Sequence, residues 1–167
     1  MNTPDQTLAN VRLVAFDIDG VFTDGRFYLS DDGVESKAFN THDGFGVRQL
    51  LEAGLAVAVI SGRKSTAVDR RMNELGVRHV IQGNSDKVAA FEALVKELGI
   101  VEAQSVYVGD DVPDLPLLRR VGFSVAVGNA HDDVKAACDY TTVRAGGFGA
   151  VREVCDLVLQ ARQNGRG

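Results

Sequence analysis

The chain has 167 residues, 45% of them apolar and 25% charged, with a net charge of −5, which is the make-up of an ordinary globular protein long enough for one core. The negative balance argues against general binding of nucleic acid or anionic membranes, both of which call for clustered positive charge. No apolar run approaches the ~20 residues needed to span a bilayer, and residues 1–10 are polar without a signal-peptide core, so the cytoplasm is the expected location. The two cysteines, Cys138 and Cys155, are too far apart for a CxxC motif and read as reduced, buried thiols.

In chain order, the first apolar run is residues 11–16, and similar runs follow at 55–60, 79–81, 105–108 and 123–127. Such near-continuous runs read as strands buried on both faces. Segments of helical period lie between them at 44–53, 65–75, 86–98 and 112–121, each followed closely by a glycine (Gly54, Gly76, Gly99, Gly122) of the kind that stops a helix. A last helix is expected over about 149–163. The alternation predicts an α/β fold: a Rossmann-like parallel sheet with helices on both faces, in a single domain over residues 1–167. One segment breaks the rhythm. Residues 22–39 read FTDGRFYLSDDGVESKAF, two short β-prone runs joined at Asp31-Asp32-Gly33. That pattern predicts a β-hairpin where a helix would be expected, either an edge extension of the sheet or a flap beside the strand tips.

Ligands of open α/β sheets bind beyond the carboxyl ends of the strands. Asp17-Ile18-Asp19-Gly20 follows the first predicted strand, Ser61-Gly62-Arg63-Lys64 the second, and Gly109-Asp110-Asp111 the fourth, with Asp114 shortly after. Carboxylates gathered in one crevice raise each other's pKa and destabilise the fold unless a cation joins them. Oxygen donors without His or Cys favour magnesium. Each aspartate taken singly fits a turn residue or helix N-cap equally well, but three strand ends together point to a metal. Lys87 opens a predicted helix, where it opposes the helix dipole at a cost of up to about 1 kcal/mol. It is either a solvated lysine that tolerates this cost or one aimed at phosphate and carboxylate. A GxxxxGK[ST] run is absent, so a nucleotide P-loop is not expected.

Together these residues resemble the haloacid dehalogenase phosphatase superfamily. Its first motif, DxDG[VT]xTD, matches residues 17–24 as DIDGVFTD; its second, a Ser or Thr after a hydrophobic strand, matches Ser61; its third matches Lys87; its fourth, GDDxxD, matches residues 109–114 as GDDVPD. A narrower resemblance, over about residues 11–161, is to the capless family that acts on 3-deoxy-D-manno-octulosonate 8-phosphate in lipopolysaccharide sugar synthesis. FNTHDGFG (39–46), ISGRK (60–64), YVGDDVPDLP (107–116) and AGGFGAVREVCDLVL (145–159) carry it. His42 and Phe148 stand where that family often has Arg or another polar residue.

The resemblance implies a mechanism and a set of roles. Asp17 would be the nucleophile and Asp19 the acid and base, with Ser61 and Lys87 holding phosphoryl oxygens. Mg2+ would be held by Asp17, the backbone carbonyl of Asp19 and Asp110, supported by Asp111 and Asp114. The expected substrate is a phosphorylated sugar acid, with a related nine-carbon sugar acid phosphate as the alternative to the eight-carbon one. Asp19, Asn40, Thr41, His42, Asp43, Gly44, Arg48, Arg63, Arg71 and Lys87 are its candidate contacts, the guanidinium fork being well shaped for a carboxylate. The stretches between Asp17 and Ser61 and between Lys87 and Asp110 leave no room for a cap domain, so neighbouring subunits are expected to cover the site, and the resemblance implies that they do so in a homotetramer. The non-enzyme alternative is a phospho-accepting receiver domain. There the accepting Asp follows the third strand, whereas here that strand runs into Gln82-Gly83-Asn84.

Overall fold

The computed structural model describes residues 4–165. The chain runs α1 (Pro4–Ala9), β1 (Leu13–Phe16), a hairpin of β2 (Tyr28–Leu29) and β3 (Glu35–Ser36), α2 (Thr41–Glu52), β4 (Ala56–Ser61), α3 (Thr66–Leu75), β5 (His79–Gln82) and α4 (Lys87–Leu98). It continues through β6 (Ser105–Gly109), α5 (Leu115–Leu118), β7 (Phe123–Ala126), α6 (Asp132–Ala137), β8 (Tyr140–Thr141) and α7 (Ala150–Asn164), with short 3-10 turns at Glu102–Gln104 and Val112–Asp114. The six strands outside the hairpin form one parallel sheet in the order β5-β4-β1-β6-β7-β8. Packing groups α1, α2, α3 and α7 into one layer and α4, α5 and α6 into the other. No described helix is long and apolar enough to cross a membrane.

The central strands explain why the sheet is covered on both sides. All residues of β1, β6 and β7 are buried, so each needs apolar partners above and below. Phe16 packs edge-on against Phe22 in this core. The chain leaves β1 toward β4 on one side and later returns to β6 on the other, so β1 lies at the topological switch point. Register completes the arrangement. Phe16 pairs with Val59 and with Val108, which sets Asp17 one residue short of Ser61 and Asp110 at the same end of the sheet.

Two expectations change, and one open alternative is decided. The helix expected at 112–121 is a 3-10 turn followed by the four-residue α5, because Pro113 and Pro116 remove backbone donors that a longer helix would need. Helix α2 begins at Thr41, three residues early, because Asn40 accepts a side-chain cap bond from the His42 N–H. The hairpin is a separate two-stranded antiparallel sheet, not an edge of the main one. Gly33 takes φ 83° at its turn, a conformation open to glycine and costly for other residues. α1, α6 and β8 were not expected; all three are short.

Candidate active site

Asp17 is the first residue past β1. Its backbone N–H donates to Val108 O at 3.0 Å, and its carboxylate Oδ1 accepts from the Ile18 N–H at 2.7 Å. Lys87 reaches the same oxygen, Nζ to Oδ1 3.1 Å. The lysine is the first residue of α4, where Asp86 caps the helix by accepting from the Ala89 N–H and so offsets the charge conflict with the dipole. On its other side Lys87 Nζ lies 2.7 Å from Asp114 Oδ1 and 3.3 Å from the Tyr107 hydroxyl. Tyr107 in turn donates to Asp114 Oδ1 at 2.8 Å, and Asp114 Oδ2 accepts from the N–H groups of Asp110 and Asp111.

A pocket of about 310 Å³ collects Asp17, Asp19, Ser61, Arg63, Lys87, Asp110, Asp111 and Asp114. Eight residues expected at the site from sequence thus converge. The electrostatics explain why they call for a cation. Burial pushes the Asp17 carboxyl up to about 7, the Asp114 charge adding to this and Lys87 opposing it. Burial, with the charges of Asp17, Asp114 and Asp111, pushes Asp110 up to about 8. Burial alone would lower the Lys87 ammonium, but Asp17 and Asp114 outweigh it and leave it raised.

Carboxylate oxygens of Asp17, Asp110 and Asp114 lie within 4.8 Å of one another. Both oxygens of Asp114 are already taken by Lys87, Tyr107 and two backbone N–H groups. Asp17 and Asp110 therefore hold the free donor atoms, a hard all-oxygen set that fits magnesium. The backbone makes room for them: a Cβ on Gly20 would stand 1.9 Å from Asp110 Oδ2.

Other expected contacts lie elsewhere in the chain. Thr41, Gly44, Arg48 and Arg71 line a separate cavity of about 230 Å³ with Phe45 and Leu75. Arg48 bonds Glu74 O and Arg71 pairs with the Glu74 carboxylate, because both arginines project from the α2–α3 face rather than from strand tips. His42 borders a cavity of about 460 Å³ with Arg144, Arg152 and Glu153. That space is larger than the acid pocket but holds none of the carboxylates that converge on Asp17. Asp43 is fully buried and accepts from the Arg152 N–H at 2.9 Å, so it caps the start of α7, whose own N-cap residue is Gly149. Asn40 donates to Gly147 O at 3.3 Å.

Two residues near the site were not expected. Tyr107 sits inside an apolar strand run, where its hydroxyl gives no signal in sequence. Lys37, in the hairpin, pairs with Asp19.

An acidic pair at the switch point, with a serine and a second acidic turn on neighbouring strand tips and a lysine at the start of α4, defines a haloacid dehalogenase-like hydrolase, and the model of that family matches residues 77–152. The chain is 48% identical over 153 residues, 92% of its length and 81% of the relative's, to the 3-deoxy-D-manno-octulosonate 8-phosphate phosphatase KdsC of Escherichia coli (strain K12). It matches the crystal structure of the Moraxella catarrhalis phosphatase in complex with a magnesium ion, a phosphate ion and a KDO molecule with a TM-score of 0.93 and 44% identity, over 96% of this chain and 92% of that one. The cobalt-bound Haemophilus influenzae phosphatase matches with a TM-score of 0.92 and 40% identity, over 95% and 92%. The chain belongs to the KdsC phosphatase family.

Proposed function

We infer that this protein is a magnesium-dependent phosphatase that hydrolyses 3-deoxy-D-manno-octulosonate 8-phosphate to the free sugar acid and inorganic phosphate. The observation that carries the reading is the placement of Asp17 at the tip of β1, 3.1 Å from Lys87 and in one pocket with Asp110.

Asp17 attacks phosphorus through a carboxylate oxygen. An O–P bond forms, the bond from phosphorus to the sugar oxygen breaks, and an aspartyl-phosphate results. Asp19 gives its proton to the departing sugar oxygen, then takes one from the water that attacks the same phosphorus. The second O–P bond breaks at Asp17, which is restored as phosphate leaves. Ser61 and Lys87 hold the phosphoryl oxygens as charge moves among them. Asp114 fixes Lys87 in place, and Asp111 closes the acidic turn by accepting from the Val112 N–H. Asp17, Asp110 and the backbone carbonyl of Asp19 would hold magnesium. The ion supplies the positive charge that lets a phosphate dianion approach a carboxylate.

Within one chain, Thr41, His42, Gly44, Arg48 and Arg71 do not border this pocket. The exposure of Thr41, His42 and Arg48 and the half-exposure of Arg71 support a role across subunits, in a homotetramer of cytoplasmic subunits whose neighbours cover each site and meet the sugar-acid carboxylate. The test is a phosphate-release screen over eight- and nine-carbon sugar acid phosphates, with and without magnesium, alongside Asp17→Asn. Release only with magnesium, only with Asp17 intact and fastest from the eight-carbon substrate is expected; undiminished turnover by Asp17→Asn overturns the reading, and faster nine-carbon turnover overturns the substrate.

A further inference from the structure

Lys37 follows the second arm of the hairpin and sends its ammonium inward. Its side chain is 1% exposed, while Tyr28, Leu29 and Val34 of the same hairpin face solvent. An ammonium withdrawn from water needs anionic partners, since an uncompensated buried charge is strongly destabilising. Two carboxylates supply them. Lys37 Nζ pairs with Asp19 Oδ1 and lies 3.4 Å from Glu35 Oε1. Arg63 closes a ring of alternating charge: its Nη2 is 2.5 Å from Glu35 Oε2 and its Nε 3.8 Å from Asp19 Oδ2. The Phe27 ring lies against both cations, 4.2 Å from the Arg63 guanidinium carbon and 5.7 Å from Lys37 Nζ.

Each oxygen of Asp19 therefore faces a different cation, which fixes the carboxylate's orientation. Lys37 is the firmer of the two holds. Arg63 is half exposed and more distant, and exposed pairs of that kind are weak. The hairpin strands pair over two residues each, too few to hold themselves in place. Its seat against the body and the aim of Asp19 are thus set by one cluster.

We propose that Lys37 is a positioning residue for phosphate-ester hydrolysis, acting through Asp19. It keeps the Asp19 carboxyl directed at the point where the leaving oxygen departs and the water later arrives. This rests on the acid–base role given to Asp19 above. Lys37 exchanges no proton itself. When Asp19 carries the proton, Glu35 keeps the Lys37 ammonium paired, so the ring survives both halves of the reaction.

The experiment is a double-mutant cycle of Lys37→Met and Asp19→Ala, read on 3-deoxy-D-manno-octulosonate 8-phosphate and on p-nitrophenyl phosphate, whose nitrophenolate departs without a proton. Lys37→Met is expected to lower kcat on the sugar phosphate tenfold or more with KM within threefold, to change kcat/KM for the nitrophenyl ester less than threefold, and to add no loss to Asp19→Ala. Equal losses in kcat/KM on both substrates, a rise in KM alone, or losses that multiply with those of Asp19→Ala overturn the proposal. Glu35→Gln, which keeps the shape, is expected to repeat the pattern more weakly and serves if Lys37→Met fails to fold. A crystal structure of the Lys37 variant, or of Glu35→Gln in that event, reads the position without turnover: the Asp19 carboxylate is expected to rotate away, and an unmoved one overturns the proposal. A wild-type protein inactive on both esters refutes the phosphatase reading, while this structural readout still decides the role of Lys37.

Discussion

Lys87 and Asp114 form a buried ion pair, Nζ to Oδ1 2.7 Å, with neither side chain more than 9% exposed. The pair ties the first turn of α4 to the acidic turn after β6, and it sets where the ammonium stands relative to Asp17. Asp114→Asn turns an amide toward Lys87 or toward the Asp110 and Asp111 N–H groups and cannot satisfy both. Lys87 then has Asp17 as its remaining carboxylate partner and is drawn away from its present place toward it. The expected loss in kcat is about 10–100-fold, with a loss of stability of about 3 kcal/mol in urea unfolding. Near-wild-type turnover would show that Lys87 needs no such tether.

The acid pocket predicts an inverted pH response in the metal-free protein. Asp17 and Asp110 are raised from 3.8 to about 7 and about 8 by burial and by neighbouring carboxylates. Between those values and 3.8 the folded state holds protons that the unfolded state has released. Stability therefore falls as pH rises from about 4 to 8. Magnesium removes the penalty by taking the place of those protons, so its stabilising effect grows with pH. Thermal unfolding at pH 5.5 and 8.5, with EDTA or excess magnesium, checks this. Tm in EDTA should be lower at pH 8.5, and the gain from magnesium larger there; a gain that is the same at both values contradicts the cluster's electrostatics.

The parallel sheet was legible because burial on both faces writes itself into local composition. The run at 55–60 became β4 at Ala56–Ser61, and the run at 105–108 became β6 at Ser105–Gly109. The acids were legible because they sit immediately past those runs, so that register alone gathers them. What stayed hidden depends on contacts between distant positions. Nothing near residue 107 in the sequence says that a tyrosine hydroxyl will meet residues 87 and 114, and nothing at residue 37 says that a lysine will be buried against Asp19. The arginines at 48 and 71 failed to join the pocket for the same reason: residue type suits a carboxylate, but the direction of helices α2 and α3 decides what it faces.

Gly146 is where the segment after β8 touches the loop that carries Asp17. A Cβ there would stand 1.7 Å from Gly20 O, and the contact is held by the Gly146 N–H bond to Asn129 Oδ1 and the Gly147 N–H bond to Val21 O. Backbone on backbone cannot yield by rotating a side chain. Gly146→Ala is therefore expected to separate the two segments, with a loss of roughly 2 kcal/mol or more from overpacking and a fall in kcat, because residues 17–24 shift with it. Differential scanning calorimetry and steady-state kinetics on one preparation measure both. An unchanged Tm would mean that the segments slide apart without cost.

Asp43 separates a structural role from a substrate contact. It is fully buried, one oxygen accepting from the Arg152 N–H at the start of α7 and the other, Oδ2, without a hydrogen-bond partner among the described residues. Burial raises its pKa, against the opposing pull of backbone N–H groups and of nearby positive charges. Its folded form thus favours the proton, and its contribution to stability is lost as pH rises through the raised value. Asp43→Asn keeps the accepting oxygen and removes the buried charge, so its stability relative to wild type should improve as pH rises above the ordinary carboxylate range. Asp43→Ala loses the cap and should cost about 1–2 kcal/mol. If Asp43 acts only as this cap, KM for the sugar phosphate stays within threefold in Asp43→Asn at magnesium saturation. A large rise in KM with unchanged stability would instead mean that residues 40–44 open and carry this carboxylate to the substrate.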